Sequence, residues 1–257
     1  MKKILSSFIV AVVLGSSFFA MDANVIDGVD EKAGKIMDQV EIQSQFGDED
    51  YSATVSLIIE KPDEATQQMK YKLFQRSSQD QFSMIQLFPE ADKGTGYLQD
   101  GDNLWVYDPI GRKFSHSSLK EQLGDSDTST GDLNNNDTWR DDFQITGFEK
   151  GMLGKYSVYI ITLEAITTEP EYAKQVEYVR TDYPVTLKVE DYSANGRLMR
   201  TQLLPKYTKV NGYYIPTQII QRDEVNKGEQ TQILISEVSF TNIPDKVFTK
   251  AYLENIN

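Results

Sequence analysis

Hydrophobic and polar positions follow two regular regimes along the chain, separated by one irregular stretch. Near the start, Ala33, Ile36, Met37 and Val40 recur at three-and-four spacing, with Lys32, Lys35, Asp38 and Glu41 elsewhere, which predicts an amphipathic helix. Asp30 is placed to cap it and Glu31 to complement its dipole, while Gly34 is a weak helix former. From Tyr51 the period drops to two: Tyr51, Ala53, Val55, Leu57 and Ile59 alternate with Ser52, Thr54 and Ser56, as in a half-buried strand. Strand-like runs follow at 69–76, 81–88, 96–99 and 103–107, and later at 143–148, 156–163, 174–179, 184–192, 198–205, 213–222 and 230–240. Turn signals separate neighbours: Lys61-Pro62-Asp63, Asp100-Gly101, Asn195-Gly196, Asn211-Gly212 and Lys227-Gly228. Between 116 and 142 the alternation stops in a segment rich in Ser, Thr, Asn, Asp and Gly, which predicts a long loop with a short helix at 118–123. Strands and helices never alternate regularly, so the expected fold is mainly β (α+β): one large, strongly curved antiparallel sheet with one or two helices on its concave side.

Such a sheet has more apolar surface than two helices cover. A wide half-barrel with a thin lid can hold a small ligand instead of filling itself with side chains. The candidate lining residues are Val55, Leu57, Leu73, Phe82, Met84, Leu104, Val106, Ile160, Leu163, Ile219 and Ile233. An ordinary filled core satisfies the same periodicity, so hollow and full both stay open at this point.

The first twenty residues stand apart. Lys2 and Lys3 precede an apolar run from Phe8 to Leu14, then Gly15, Ser16 and Ser17, with cleavage expected after Ala20 or Ala23. The expectation is a signal peptide at 1–20, one domain at 21–257, and an exported, periplasmic chain with no second apolar run of spanning length. The chain has 257 residues and no Cys, which excludes disulfides, thiolate metal sites, a cysteine nucleophile and acylation of a Cys. With 26 Lys+Arg against 39 Asp+Glu, the net charge of −13 argues against a nucleic-acid partner.

Candidate chemistry is sparse. Asp125, Asp127, Asp132 and Asp137 are dense enough to suggest calcium, but Thr130 stands where a calcium loop needs its sharp-turn Gly and Asn136 where it needs Glu, so no metal is expected. The single His, His116, lies between Ser115 and Ser117 without a G-x-S-x-G elbow, and an exposed surface His is expected. Trp105 and Tyr107 alternate on one strand, either at a ligand mouth or as packing. Lys93-Gly94 and Lys227-Gly228 are turns without the glycines of a phosphate loop. Arg197, Arg200, Lys206 and Lys209 form a run without acids; it reads as a solvated strand face, with Arg197 and Arg200 as candidate contacts for an anionic headgroup.

A set of motifs then carries a resemblance. These are Leu87-Phe88-Pro89 with Lys93-Gly94 and Leu98; Asn103-Leu104-Trp105-Val106-Tyr107-Asp108-Pro109; and Ser126-Asp127 with Asp132-Leu133. Further on come Tyr183-Pro184, Asp191-Tyr192 with Gly196-Arg197-Leu198, Asn211-Gly212 with Ile215-Pro216, and Thr231 leading to Val247-Phe248-Thr249 and Leu253. In this order the chain resembles the outer-membrane lipoprotein-sorting protein family, related to the periplasmic carriers and acceptors LolA and LolB. The resemblance implies an unclosed β-barrel with a helical lid, around an apolar cavity that receives acyl chains of lipoproteins or phospholipid. It also implies a non-enzymatic monomer without cofactor, moving between an inner-membrane donor and an outer-membrane acceptor. No Arg lies in 51–60, so the early-strand arginine latch of those carriers is not carried over, and Asn134-Asn135-Asn136 reads as an insertion. Two other roles stay open: a lipid- or peptide-sensing module that binds a membrane signalling partner, and a lipid hydrolase built on His116.

Overall fold

The structure, a computed structural model, describes residues 23–47, 49–100, 103–134 and 138–256. The expected signal peptide, Gly101, Asn135, Asn136 and Asp137 lie outside the described residues.

Helix α1 (Ala23–Gln45) opens the described chain. Strands β1 (Asp50–Glu60), β2 (Gln67–Arg76), β3 (Gln81–Phe88), β4 (Gly96–Asp100), β5 (Asn103–Asp108) and β6 (Lys113–Ser117) follow. Two single-turn helices, α2 (Thr130–Leu133) and α3 (Trp139–Asp142), interrupt the strands. Strands then resume as β7 (Phe143–Leu153), β8 (Tyr156–Ala165), β9 (Lys174–Arg180), β10 (Thr186–Tyr192), β11 (Leu198–Val210), β12 (Tyr213–Asp223) and β13 (Gln230–Ser239). A 3-10 turn (Asp245–Phe248) and helix α4 (Lys250–Asn255) end the fold.

All the strands form one antiparallel sheet in the order β6-β5-β4-β3-β2-β1-β13-β12-β11-β10-β9-β8-β7. The first and last strands pair in the middle, Leu57 opposite Ile233, so the sheet is a continuous meander around a barrel with one gap. That gap lies between β6 and β7, neighbours in sequence that end up at opposite edges. The connection between them must therefore span the opening of the barrel, which is why a long polar segment stands at 118–142. This is the unclosed β-barrel with few helices expected from the sequence.

Register assigns the faces. Val55 lies opposite Tyr71 and Ile235, and Leu73 opposite Met84, so the odd positions of β1 and β2 and the even positions of β3 share the concave face. The main core collects Ala53, Val55, Leu57, Leu73, Phe82, Met84 and Ile233, all buried, with Leu123 and Leu133 pressed onto them from the 118–142 segment. A second cluster joins Met37 of α1 to Ile161, Leu163 and Val179 of β8 and β9. The sheet turns tightly where foreseen: Asn211 and Gly212 both take positive φ, 50° and 91°, the pattern of a two-residue hairpin.

Several expectations need correction. Helix α1 begins at Ala23, so Asp30 lies inside it and not at its N-terminal boundary. Residues 118–123 are turns, and the helical pieces are α2 and α3 downstream, where Ser129 and Asp132 form a capping box. Strand β6 is an addition to the expected strands: in Lys113–Ser117 only Phe114 is strongly apolar, so no alternation marks it, which suits a polar edge strand. The C-terminal segment covers the convex face of β2–β5: Leu253 packs on Ile85, Leu98 and Tyr107, and a Cβ on Gly96 would sit 2.8 Å from Leu253. Arg76 ties this segment down through Asp50 (2.8 Å), Asp245 (2.8 Å) and the Ile243 carbonyl.

Candidate ligand cavity

The concave face holds two chambers that share Asp132 and Glu177 in their walls. The inner chamber, about 300 Å³, lies between α1, the sheet and the tip of the 118–142 segment. Its walls are mainly apolar: Val40, Phe46, Tyr51, Val55, Leu73, Leu133, Val185, Val189, Leu204, Pro216, Ile219 and Ile235, with Tyr207 and Tyr214 at one side. That volume lies at the small end of known ligand pockets. The outer chamber, about 760 Å³ and more polar, lies at the gap of the barrel, bounded by Leu104, Ser117, Trp139, Phe143, Leu163 and Tyr172.

The candidate lining residues divide accordingly. Val55, Leu73 and Ile219 line the inner chamber, and Leu104 and Leu163 the outer one. Leu57, Phe82, Met84 and Ile233 lie on the same concave face but are packed solid against one another, at 2% exposure or less. Val106 shares that face, half-buried, opposite Tyr97 and Ser115 and outside both chambers. Ile160 points to the convex side, because the inward positions of β8 are Tyr159, Ile161 and Leu163. Wall residues that strand alternation does not show come from outside the strands, such as Leu133 at the end of α2 and Val185 just before β10, or are amphipathic tyrosines that alternation does not single out.

The lid is the 118–142 segment together with α1. Asn134 donates to Gln99 of β4, and Thr128 to Gln221 of β12, so the segment is fastened to both halves of the sheet. Arg200 is the strongest fastening. Its Nε donates to Asp191 Oδ2 (2.8 Å), its Nη1 to Asp132 Oδ2 (3.0 Å), and the Tyr172 ring lies 4.9 Å from the guanidinium carbon. Burial works against the Arg200 charge, yet Asp132 and Asp191 outweigh it and hold the guanidinium well above its ordinary range. Arg200 is thus a buried brace between β11 and α2, already committed to two carboxylates; Arg197 is exposed at the β10–β11 turn, and the Arg197–Lys209 run forms no single basic surface. The other half of the lid is held to α1: Arg140 chelates Asp38 at 2.8 and 2.9 Å, and the Trp139 backbone N–H donates to Glu41.

One carboxyl stands out. Glu177, on β9 between the two chambers, accepts from the Thr186 hydroxyl at 2.9 Å through Oε2, while Oε1 has no donor among the described residues. Burial pushes its pKa up to about 7; the Thr186 hydroxyl opposes this and Asp191 adds to it.

The remaining candidates lie away from the cavity. Tyr107 is buried under the C-terminal segment, and Trp105 packs between Lys250 and His116, so neither lines a mouth. His116 is exposed against Trp105, its ring 4.0 Å away between centroids, and none of its described hydrogen bonds reaches a Ser or a carboxylate. Asp125 accepts from Gln67 (3.3 Å) and Asp132 binds Arg200, so the acids of the loop diverge.

Residues 78–255 match the model of a family described as an uncharacterized protein. No curated protein matches. A LolA superfamily protein from Nitrosomonas europaea superposes with a TM-score of 0.74 at 24% identity, over 86% of this chain and 98% of that one. A domain from Vibrio parahaemolyticus described as an outer membrane lipoprotein-sorting protein gives 0.75 at 20% identity, over 88% and 99%. A DUF1329 family protein from Desulfovibrio piger gives 0.74 at 19%, over 88% and 99%. The chain therefore has the LolA-type fold.

Proposed function

The chain belongs to the family that its residues 78–255 match, and we propose that on its LolA-type scaffold it is a non-enzymatic, exported carrier that takes an acyl chain of a lipoprotein or related lipid into the inner chamber. The observation that carries this reading is an apolar chamber of about 300 Å³ under a lid fastened by discrete polar contacts. A solid core would need no such lid, and a lid attached by hydrogen bonds, the Arg200 ion-pair cluster and two apolar anchors, Leu123 and Leu133, can release without unfolding the sheet. The Vibrio parahaemolyticus neighbour's connection with lipoprotein sorting supports the same cargo class, and a signal peptide at 1–20 fits a periplasmic place of work.

The energetics suit a carrier. An acyl chain of about 15 methylenes leaving water gains about 12 kcal/mol gross, at about 0.8 kcal/mol per methylene. A small chamber takes only part of that length, which leaves the grip weak enough for hand-over. The test is uptake of a fluorescent long-chain acylglycerol by the purified protein. Saturable binding near one per chain is expected, and Ile219→Trp, which fills the inner chamber, abolishes it while the thermal midpoint changes by only a few degrees. Equal uptake by the wild type and Ile219→Trp contradicts the reading.

A further inference from the structure

We propose that the cavity selects an amphiphile whose polar end donates hydrogen bonds, with an alkylammonium preferred over an anionic head, and that Glu177 is the side chain that receives it. This inference rests on the carrier reading and deepens it.

The geometry supplies the reason. Glu177 sits where the apolar inner chamber meets the polar outer one, so a chain lying in the former brings its head to this carboxyl. Thr186 occupies one carboxylate oxygen, and the other is open to the cavity without a donor among the described residues. Its second oxygen opens into the cavity instead of being sealed off, so an entering N–H or O–H group can reach it and bind there. Above pH 7, where Glu177 is ionised, an entering carboxylate or phosphate offers it nothing and adds a like charge.

The cations point the same way. Among the described residues two basic side chains line the chambers, and each is already engaged: Arg200 by Asp132 and Asp191, and Lys120 by Glu169 at 3.9 Å. Glu177 and the nearby Glu171 have no basic partner within ion-pairing distance among the described residues. A phosphate or carboxylate head would therefore have to break the Arg200 cluster to find a counter-charge, whereas an ammonium head finds one waiting. The Asp191 carboxylate behind Arg200 and the Tyr207 hydroxyl, which donates to the Thr186 carbonyl at 2.5 Å, complete the surroundings without adding a free cation.

The experiment, at pH 8 where Glu177 is ionised, uses the full mature protein loaded with the fluorescent acylglycerol and displaced by three probes of equal chain length: dodecylamine, dodecanol and dodecanoate. Dodecylamine is expected to displace at least tenfold more tightly than dodecanoate, with dodecanol between them. Glu177→Gln, which keeps an acceptor for Thr186, brings amine and carboxylate to within about threefold, and Glu171→Gln serves as a second variant with a smaller loss. Dodecanoate equal to or tighter than dodecylamine, or an undiminished preference in a folded Glu177→Gln, overturns this inference while leaving the carrier reading in place. Failure of the acylglycerol itself to bind overturns both.

Discussion

Glu177 has its carboxyl facing an apolar chamber, and its stability cost depends on pH in a definite direction. With a folded pKa of about 7 against 4.5 for the free group, the folded state holds a proton that the unfolded chain has already lost. Below pH 4.5 both states are protonated and there is no penalty. Between pH 4.5 and 7 the penalty grows, and above pH 7 it stays constant at up to about 3 kcal/mol. Glu177→Gln is therefore expected to raise the thermal midpoint at pH 8 and leave it nearly unchanged at pH 4.5, checked by melts at the two pH values. An equal shift at both would place the carboxyl in an ordinary solvated setting. At this scale the sequence was informative where a strand alternates cleanly, as for Val55 and Leu73, and silent where it does not. Tyr159-Ile160-Ile161 is apolar without a break, so periodicity could not say that Ile161 faces in and Ile160 out. Arg200 looked like one of four surface cations; only the fold brings Asp191 and Asp132 to it and turns it inward.

Elements follow the same logic. The 118–142 segment is a lid because its ends belong to the two unpaired edges of the sheet, and its apolar residues Leu123 and Leu133 are its anchors. Leu133→Ala is expected to cost about 2–4 kcal/mol in denaturant unfolding and to enlarge the inner chamber. Breaking the brace separates two effects. Asp132→Asn leaves Arg200 paired with Asp191, so a loss of about 1 kcal/mol is expected together with several-fold faster acylglycerol uptake in stopped-flow fluorescence. Arg200→Met leaves the fully buried Asp191 without its cation, and a loss of about 3–5 kcal/mol is expected. Unchanged uptake in Asp132→Asn would mean the segment does not move for entry. The hairpins and the loop were legible in the sequence because Gly, Asn and Pro mark turns by their backbone preferences. The lid's role was not, since it depends on strands far apart in sequence, and neither was the burial of the outer face under α4, whose partners Ile85, Leu98 and Tyr107 occupy positions that alternation assigns to solvent.

For the whole molecule, the meander that pairs β1 with β13 leaves a single gap, and that gap decides where the 118–142 segment lies and where the polar chamber forms. The net charge of −13 weakens attraction to anionic membrane surfaces, which suits the proposed carrier that leaves one membrane for another. In the proposed carrier the inner chamber holds an acyl chain. The most direct measurement is mass spectrometry, native and after organic extraction, of the protein secreted into a periplasm and purified without detergent, beside Ile219→Trp treated identically. A lipid species near one per chain on the wild type and missing from the variant is the expected result. A wild type that emerges without lipid and stays empty when offered the acylglycerol would contradict the account.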